Sequence, residues 1–403
     1  MTIHPFAALR PKPEHAKDIA ALPYDVISEK EAREAYEKNN KTFLGVDRPE
    51  ATLPKDIDPY DDKVYLQGAE NLKKLAENYM EKEAVPAFYI YRLTYQGRSQ
   101  TGLGCLVNVA DYDNDNIKKH EKTRPVKEKD RVKHIVNLSA HTGPILMSYK
   151  GEATVEAILE DWKKKHQPIY DFTSDDSIEH TVWVVKDNEV IGDIQDAFKN
   201  VDYLYIADGH HRAAGASITH KELGLPSSSV FLAVAFSKDQ LTIIDYNRVI
   251  SDFNGKTKDQ FISELGSKFD IEPSKDAIKP THASQFGLYT DKTWYNLTAK
   301  EAQPTDAIGC LPVSILTKNI IEPILGIEDQ RTDKRIDFVG GTRGTEELVN
   351  LVDSGNWALA FTLYPTSMDQ LIAVADAELL MPPKSTWFEP KLYSGLLINT
   401  IDK

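Results

Sequence analysis

An α/β fold built on a mixed sheet is predicted by three features of this sequence. Strand-length apolar runs alternate with segments of helical periodicity. The run from Leu204 to Asp208 ends in an Asp-Gly turn pair and opens a helix at His210, so strand, tight turn and helix follow one another. Residues 88–95 and 101–109 are β-rich and flank a Gln96-Gly97-Arg98 turn, which adds an antiparallel pair.

Composition narrows the functional classes. The 403 residues suffice for two or three domains, and an apolar content of 41% allows sizeable cores. A formal net charge of -14 argues against nucleic-acid or membrane-surface binding, although a local basic pocket is compatible with it. Cys105 and Cys310 are far apart and belong to no Cys-x-x-Cys pair, which disfavours a disulfide framework or a zinc ribbon. Met1–Phe6 has no positive region followed by an apolar one. Apolar runs such as Val230–Phe236 are strand-sized and too short to span a bilayer. A cytoplasmic setting is therefore expected.

The elements follow in order. Residues 1 to about 54 read as a wrapping segment broken early by Pro11, Pro13 and Pro23. Ser28 and Glu31 make a capping box for a helix over 29–38, with Tyr24-Asp25 upstream either approaching a site or making a plain turn. Val64, Leu72, Leu75 and Tyr79 mark an amphipathic helix within 60–82. A charged helix around 127–134 puts Asp130 and His134 on one face and ends before Gly143-Pro144. Then come a strand at 145–149, a helix at 155–164, strands at 170–173 and 180–185, and a helix at 191–198. Val230–Phe236 and Leu241–Asp245 are expected to pair as a hairpin. Past Ser251 the pattern restarts, with a helix at 258–268, a hairpin about Asp291-Lys292, a helix at 315–321, a strand at 358–363 and a helix at 368–377. Phe338–Glu347 is a second strand–glycine loop–helix, without the Gly-Lys-Ser/Thr ending of a P-loop. Pro382–Lys391 carries two aromatics and two cations and is either a lid or a packed C-terminal segment.

Chemistry concentrates at two places. Asp208-Gly209-His210-His211-Arg212 lies at a helix N-terminus, where free N–H groups and the helix dipole favour an anion and Arg212 can fork onto phosphate or carboxylate. A structural turn with capping or solvent-facing histidines is the competing reading. The second place is Lys119-His120-Glu121-Lys122-Thr123-Arg124-Pro125. Its His-Glu pair is not followed by a histidine at zinc-protease spacing. Either it opens a solvated charged helix, or Glu121 acts as a base while Arg124 or Arg131 holds an anionic substrate.

These stretches also carry a resemblance. Together with Pro23–Ser28, Asp245-Tyr246-Asn247-Arg248 and Pro382–Phe388, they resemble, nearly end to end, a large prokaryotic family long catalogued as a domain of unknown function. The Asp-Gly-His-His-Arg turn further resembles the phosphate-binding motif of the ParB/sulfiredoxin superfamily, which includes free L-serine kinases. The resemblance implies a ParB/sulfiredoxin-like nucleotide-binding core over 85–250, an N-terminal wrapping region over 1–84 and a C-terminal α/β region over 251–403. It implies a kinase that moves a phosphoryl group from ATP or ADP to free L-serine, giving O-phospho-L-serine. Glu121 and His210 would be catalytic. Asp208, Gly209, His210, His211 and Arg212 would bind nucleotide, and His120, Arg124, Arg131 and His134 substrate. Mg²⁺ would sit on Asp208. A nucleotide-binding regulator without turnover and a metal-dependent phosphohydrolase are the alternatives. The expected partners are small molecules, not nucleic acid or membrane. The sequence leaves oligomeric state open, a homodimer among the options.

Overall fold

The computed structural model describes residues 1–301 and 304–402. They form two compact units, one of Met1–Leu241 with Pro390–Lys403 and one of Thr242–Glu389.

The first unit is built on a nine-stranded mixed sheet. Its strands are β1 (Ile3–His4), β2 (Phe88–Tyr95), β3 (Arg98–Asn108), β4 (Ile117–Lys118), β5 (Ile145–Tyr149), β6 (Tyr170–Thr173), β7 (Glu179–Val185), β8 (Leu204–Asp208) and β9 (Val230–Ser237). They run in the order β4-β8-β5-β9-β3-β2-β7-β6, and β1 pairs with β3. The β4–β8 and β5–β9 pairs are parallel and the rest antiparallel, the mixed α/β architecture expected. Gln96 and Gly97 both take positive φ at the β2–β3 turn, at 49° and 78°, which matches the right-handed twist of a tight hairpin.

Six helices of this unit matter for the site or the core: α1 (Glu29–Lys38), α2 (Asp62–Tyr79), α3 (Pro125–Leu138), α4 (Ala153–Lys165), α5 (Asn188–Phe198) and α6 (His210–Leu223). The Ser28–Glu31 capping box forms at the start of α1. Helix α3 packs between α2 and α6. Buried residues of β2, β3, β5, β8 and β9 make one apolar core with α4 and α5. Ile19, Phe43, Leu72, Leu75, Leu138 and Ile398 belong to a second. The C-terminal segment closes on this unit: Asn399-Thr400 pairs with His141 and Ala140, and Leu9 and Ile398 form a bridge.

One expected hairpin does not form. Within Val230–Phe236, residues 231–236 are buried on both faces inside the sheet, with β3 on one edge and β5 on the other. Both hydrogen-bonding edges are taken, so Leu241–Asp245 has no edge to join. Ile243-Ile244 pairs instead with Trp387-Phe388.

The second unit holds a six-stranded antiparallel sheet. Taking β10 as Ile243–Ile244, its strands are β11 (Tyr246–Ile250), β12 (Phe269–Ser274), β13 (Gln285–Thr290), β14 (Thr293–Ala299), β15 (Ile336–Gly340) and β16 (Leu359–Leu363), in the order β12-β14-β13-β16-β11-β15. The Arg248 guanidinium is buried and donates to the carbonyls of Tyr246, Pro383 and Lys384. It thereby fixes the proline pair against β11. Among the described residues, no helix is long and apolar enough to cross a membrane.

Candidate active site

Strand β8 delivers Asp208 at its C-terminal end, and Gly209 turns the chain with φ at 103°, a region glycine enters at little cost. Helix α6 starts at His210 without a side-chain cap, leaving first-turn N–H groups for an anion. Asp208 lies between two cations. Arg212 Nη2 donates to its Oδ2 at 3.2 Å, and Lys391 Nζ stands 3.6 Å from its Oδ1. A second Arg212 nitrogen donates to the Pro144 carbonyl. Burial works against the charge of Arg212, but Asp25, Asp208, Tyr24 and Asp47 outweigh it and hold its pKa up.

Residues 213–217 of α6 are all small, and α3 comes close because of them. A Cβ at Gly215 would stand 2.9 Å from the Cβ of Arg131. The close approach brings the inner face of α3 beside the start of α6. The loop ahead of α3 is fastened to α6 by the two histidines. The backbone N–H of His120 donates to His210 Nε2 at 3.4 Å, and that of Arg124 donates to His211 Nε2 at 3.1 Å. Both rings thus accept at Nε2 and carry their proton on Nδ1. Glu121 sits between these two fastenings. Its Oε2 is 3.8 Å from His210 Nδ1, and its side chain is 42% exposed.

Burial pushes His210 down to about 3, so the ring is neutral at physiological pH. His211 is also lowered, mainly by burial. His120 packs edge-on to His210 with ring centres 4.4 Å apart, and burial holds it well below the ordinary imidazole range. Its Nδ1 is buried without a hydrogen-bond partner.

Beneath Arg212 the α3 residues line a small polar cavity. Arg131 donates through Nε and Nη2 to Asp130 Oδ2 at 3.1 and 2.9 Å and lies 3.7 Å over the Tyr24 ring. Tyr65 donates its hydroxyl to the other Asp130 oxygen at 2.9 Å. His134 donates Nε2–H to the Val46 carbonyl at 3.1 Å and stands 3.7 Å from Asp47. Thr142 donates its hydroxyl to Asp47 at 2.8 Å.

The structure therefore gathers Glu121, Asp208, Gly209, His210, His211 and Arg212 at one helix start, with Arg131 and His134 around the adjoining cavity. Arg124 touches this cluster through its backbone N–H. His120 lies behind His210. Sequence reasoning passed over Lys391, Asp47 and Thr142. Lys391 is one of the two cations of the proline-bounded C-terminal segment. Asp47 ends a one-turn helix with no motif around it. Tyr24 and Asp25 do approach the site, Tyr24 under Arg131 and Asp25 near enough for its charge to act on Arg212 and His211. Among the described residues, no group of three or more His, Cys, Asp or Glu is arranged to hold a metal ion.

With this geometry in view, residues 3–316 match a family described as "Protein of unknown function (DUF1015)". The chain belongs to the DUF1015 family. Both site stretches of this DUF1015 chain fall within the matched residues. No curated protein sequence matches it. Among solved structures, it is similar to a conserved hypothetical protein from Pyrococcus furiosus at 14% identity, covering 71% of this chain and 91% of that one, with a TM-score of 0.36. It is similar to a free serine kinase in complex with AMP at 13% identity, 70% and 86% coverage and a TM-score of 0.35. SbnI from Staphylococcus aureus, truncated at its C-terminus, gives 13% identity, 73% and 87% coverage and a TM-score of 0.36. Likeness at this level leaves the chemistry to be read from the site itself.

Proposed function

We propose that this protein is a phosphotransferase acting on free L-serine, with ATP or ADP as donor and a ParB/sulfiredoxin-like core in the first unit. The observation that carries the reading is the Glu121 carboxylate held beside a neutral His210 at the uncapped start of α6, next to Arg212. Phosphoryl transfer to an alcohol requires positioning, a proton acceptor and neutralisation of phosphate charge. Glu121 is the acceptor: it takes the serine hydroxyl proton as the oxygen bonds to the terminal phosphorus. The bond from that phosphorus to the nucleotide oxygen breaks, leaving ADP from ATP or AMP from ADP. His210 stands beside the carboxylate, with Nδ1 3.8 Å from Oε2. Arg212 and the first-turn N–H groups of α6 hold the phosphate. Arg131 and His134 shape the acceptor side, with Arg124 at its exposed edge. The word serine comes from the motif resemblance, and the site is compatible with it.

Mg²⁺ accompanying the nucleotide would offset phosphate charge. The Asp208 carboxylate, already facing Arg212 and Lys391, would give it a single ligand. That suits an ion that keeps most of its waters. We place the activity in the cytoplasm.

The test is nucleotide consumption by purified protein, with and without L-serine, alongside calorimetric nucleotide binding. Serine-dependent consumption supports the kinase. Binding without consumption supports a regulator, and serine-independent phosphate release a phosphohydrolase.

A further inference from the structure

We propose that the cavity under Arg212 is a subsite for a small zwitterion, in which Asp47 receives the ammonium group and Arg131 the carboxylate. This rests on the phosphotransferase reading and adds the residue that selects an amino acid over other alcohols. The cavity is bounded by Tyr24, Asp47, Arg131, His134, Thr142 and Arg212. Its walls carry both signs of charge, out of bulk water.

Asp47 is the informative member. Its side chain is 3% exposed, yet the groups against it are a threonine hydroxyl at 2.8 Å and the imidazole of His134 at 3.7 Å. That imidazole has its pKa lowered by burial and by the charge of Arg131, and it already donates to Val46. A buried carboxylate normally has a hydrogen-bonded cation, because an uncompensated charge is costly to desolvate. The nearby Asp130 is such a case, forked by Arg131 and bonded by Tyr65. Asp47 is not forked in this way, although the charges of Arg131 and Arg212 reach it. An ammonium ion supplies both the charge and the donors that this carboxylate accepts.

The opposite wall is cationic and rigid. Arg131 is stacked on Tyr24 and its Nε and Nη2 donate to Asp130, so its guanidinium plane is held in place for a ligand carboxylate to approach. Arg212 borders both the cavity and the Asp208 turn, so it joins this subsite to the phosphate end. A substrate with one carbon between its charged centre and a hydroxyl could reach from one to the other. Alcohols lacking the ammonium group would leave Asp47 unmatched, and those lacking the carboxylate would forgo the contact with Arg131.

Calorimetry on the full chain tests the inference without requiring turnover. L-serine, ethanolamine and 3-hydroxypropanoate are titrated against wild type, Asp47→Asn and Glu121→Gln. Wild type should bind L-serine about tenfold to a hundredfold more tightly than either analogue. Asp47→Asn should lose that preference over 3-hydroxypropanoate while nucleotide affinity stays unchanged. Glu121→Gln should keep it. Equal binding of all three compounds by wild type, or no binding of L-serine, overturns the subsite even if Asp47→Asn does not fold. L-serine binding without phosphoryl transfer would instead overturn the kinase reading and leave the subsite standing.

Discussion

The Nδ1 of His210 lies 3.8 Å from Oε2 of Glu121, while its Nε2 accepts the backbone N–H of His120 at 3.4 Å. One neutral ring therefore fastens the loop and stands beside the carboxylate that the loop carries.

Glu121→Gln keeps the size of the side chain and removes its basicity. Turnover should fall by about 10² to 10⁴, the usual worth of a general base. Nucleotide affinity should stay within twofold, since the cations and N–H donors remain. Steady-state kinetics paired with calorimetry checks both halves.

His211→Ala removes the acceptor for the Arg124 N–H. A backbone hydrogen bond of this kind is worth about 1 kcal/mol, so the loop should open roughly fivefold more often. Hydrogen exchange at the Arg124 amide should accelerate by that factor, with kcat lowered and nucleotide KM little changed. His211→Gln, which offers another acceptor, should recover part of both. Unchanged exchange would mean that the histidine does not fasten the loop.

Gly215→Ala tests the close packing of α3 on α6. The new methyl would meet the Arg131 Cβ at 2.9 Å, so the helices must separate. A loss of about 1 to 3 kcal/mol is expected, read from urea midpoints. Because Arg131 moves with α3, L-serine affinity should fall as well.

Acid should unfold this chain early. His210 is held at about 3, and His141 and His180 at about 4, all chiefly by burial. In each case the folded pKa lies below the unfolded value of 6.5, so the unfolded chain binds more protons. Their stabilisation is whole above that pH and is lost as pH falls toward the folded values. Each contributes a slope of about 1.4 kcal/mol per pH unit in that window. The carboxylate of Asp130, held low by Arg131 and Tyr65 despite its burial, is lost only below the ordinary carboxylate range. Urea midpoints at pH 7.5, 6 and 5 should drop steeply between the last two. A flat profile would contradict the neutral, buried histidines.

The strand–turn–helix from Leu204 to Leu223 was legible because its signals are local: an apolar run, an Asp-Gly turn and small helix-forming residues. The capping box at Ser28 and the hairpin at Gln96-Gly97 were legible for the same reason. The hairpin expected after Val230 failed because occupancy of a strand edge depends on residues far away in sequence, here those of β3 and β5. Glu121 and His210 could each be named from their motifs, but only the fold brings two residues 89 positions apart into contact. Asp47, Thr142 and Lys391 reach the site from three separate segments, and nothing local to any of them says that it meets the others. The histidine pair is legible at the helix start, but that their Nε2 atoms accept the backbone N–H groups of His120 and Arg124 depends on a loop about 90 residues earlier in the chain.

Phosphorus NMR reads the phosphoryl transfer itself. Purified protein is mixed with Mg²⁺, L-serine and either ATP or ADP. A serine kinase gives a new phosphomonoester resonance that requires serine, appears with at least one donor and is absent with Glu121→Gln. Intact nucleotide with both donors, under conditions where calorimetry shows that nucleotide is bound, would contradict the kinase reading.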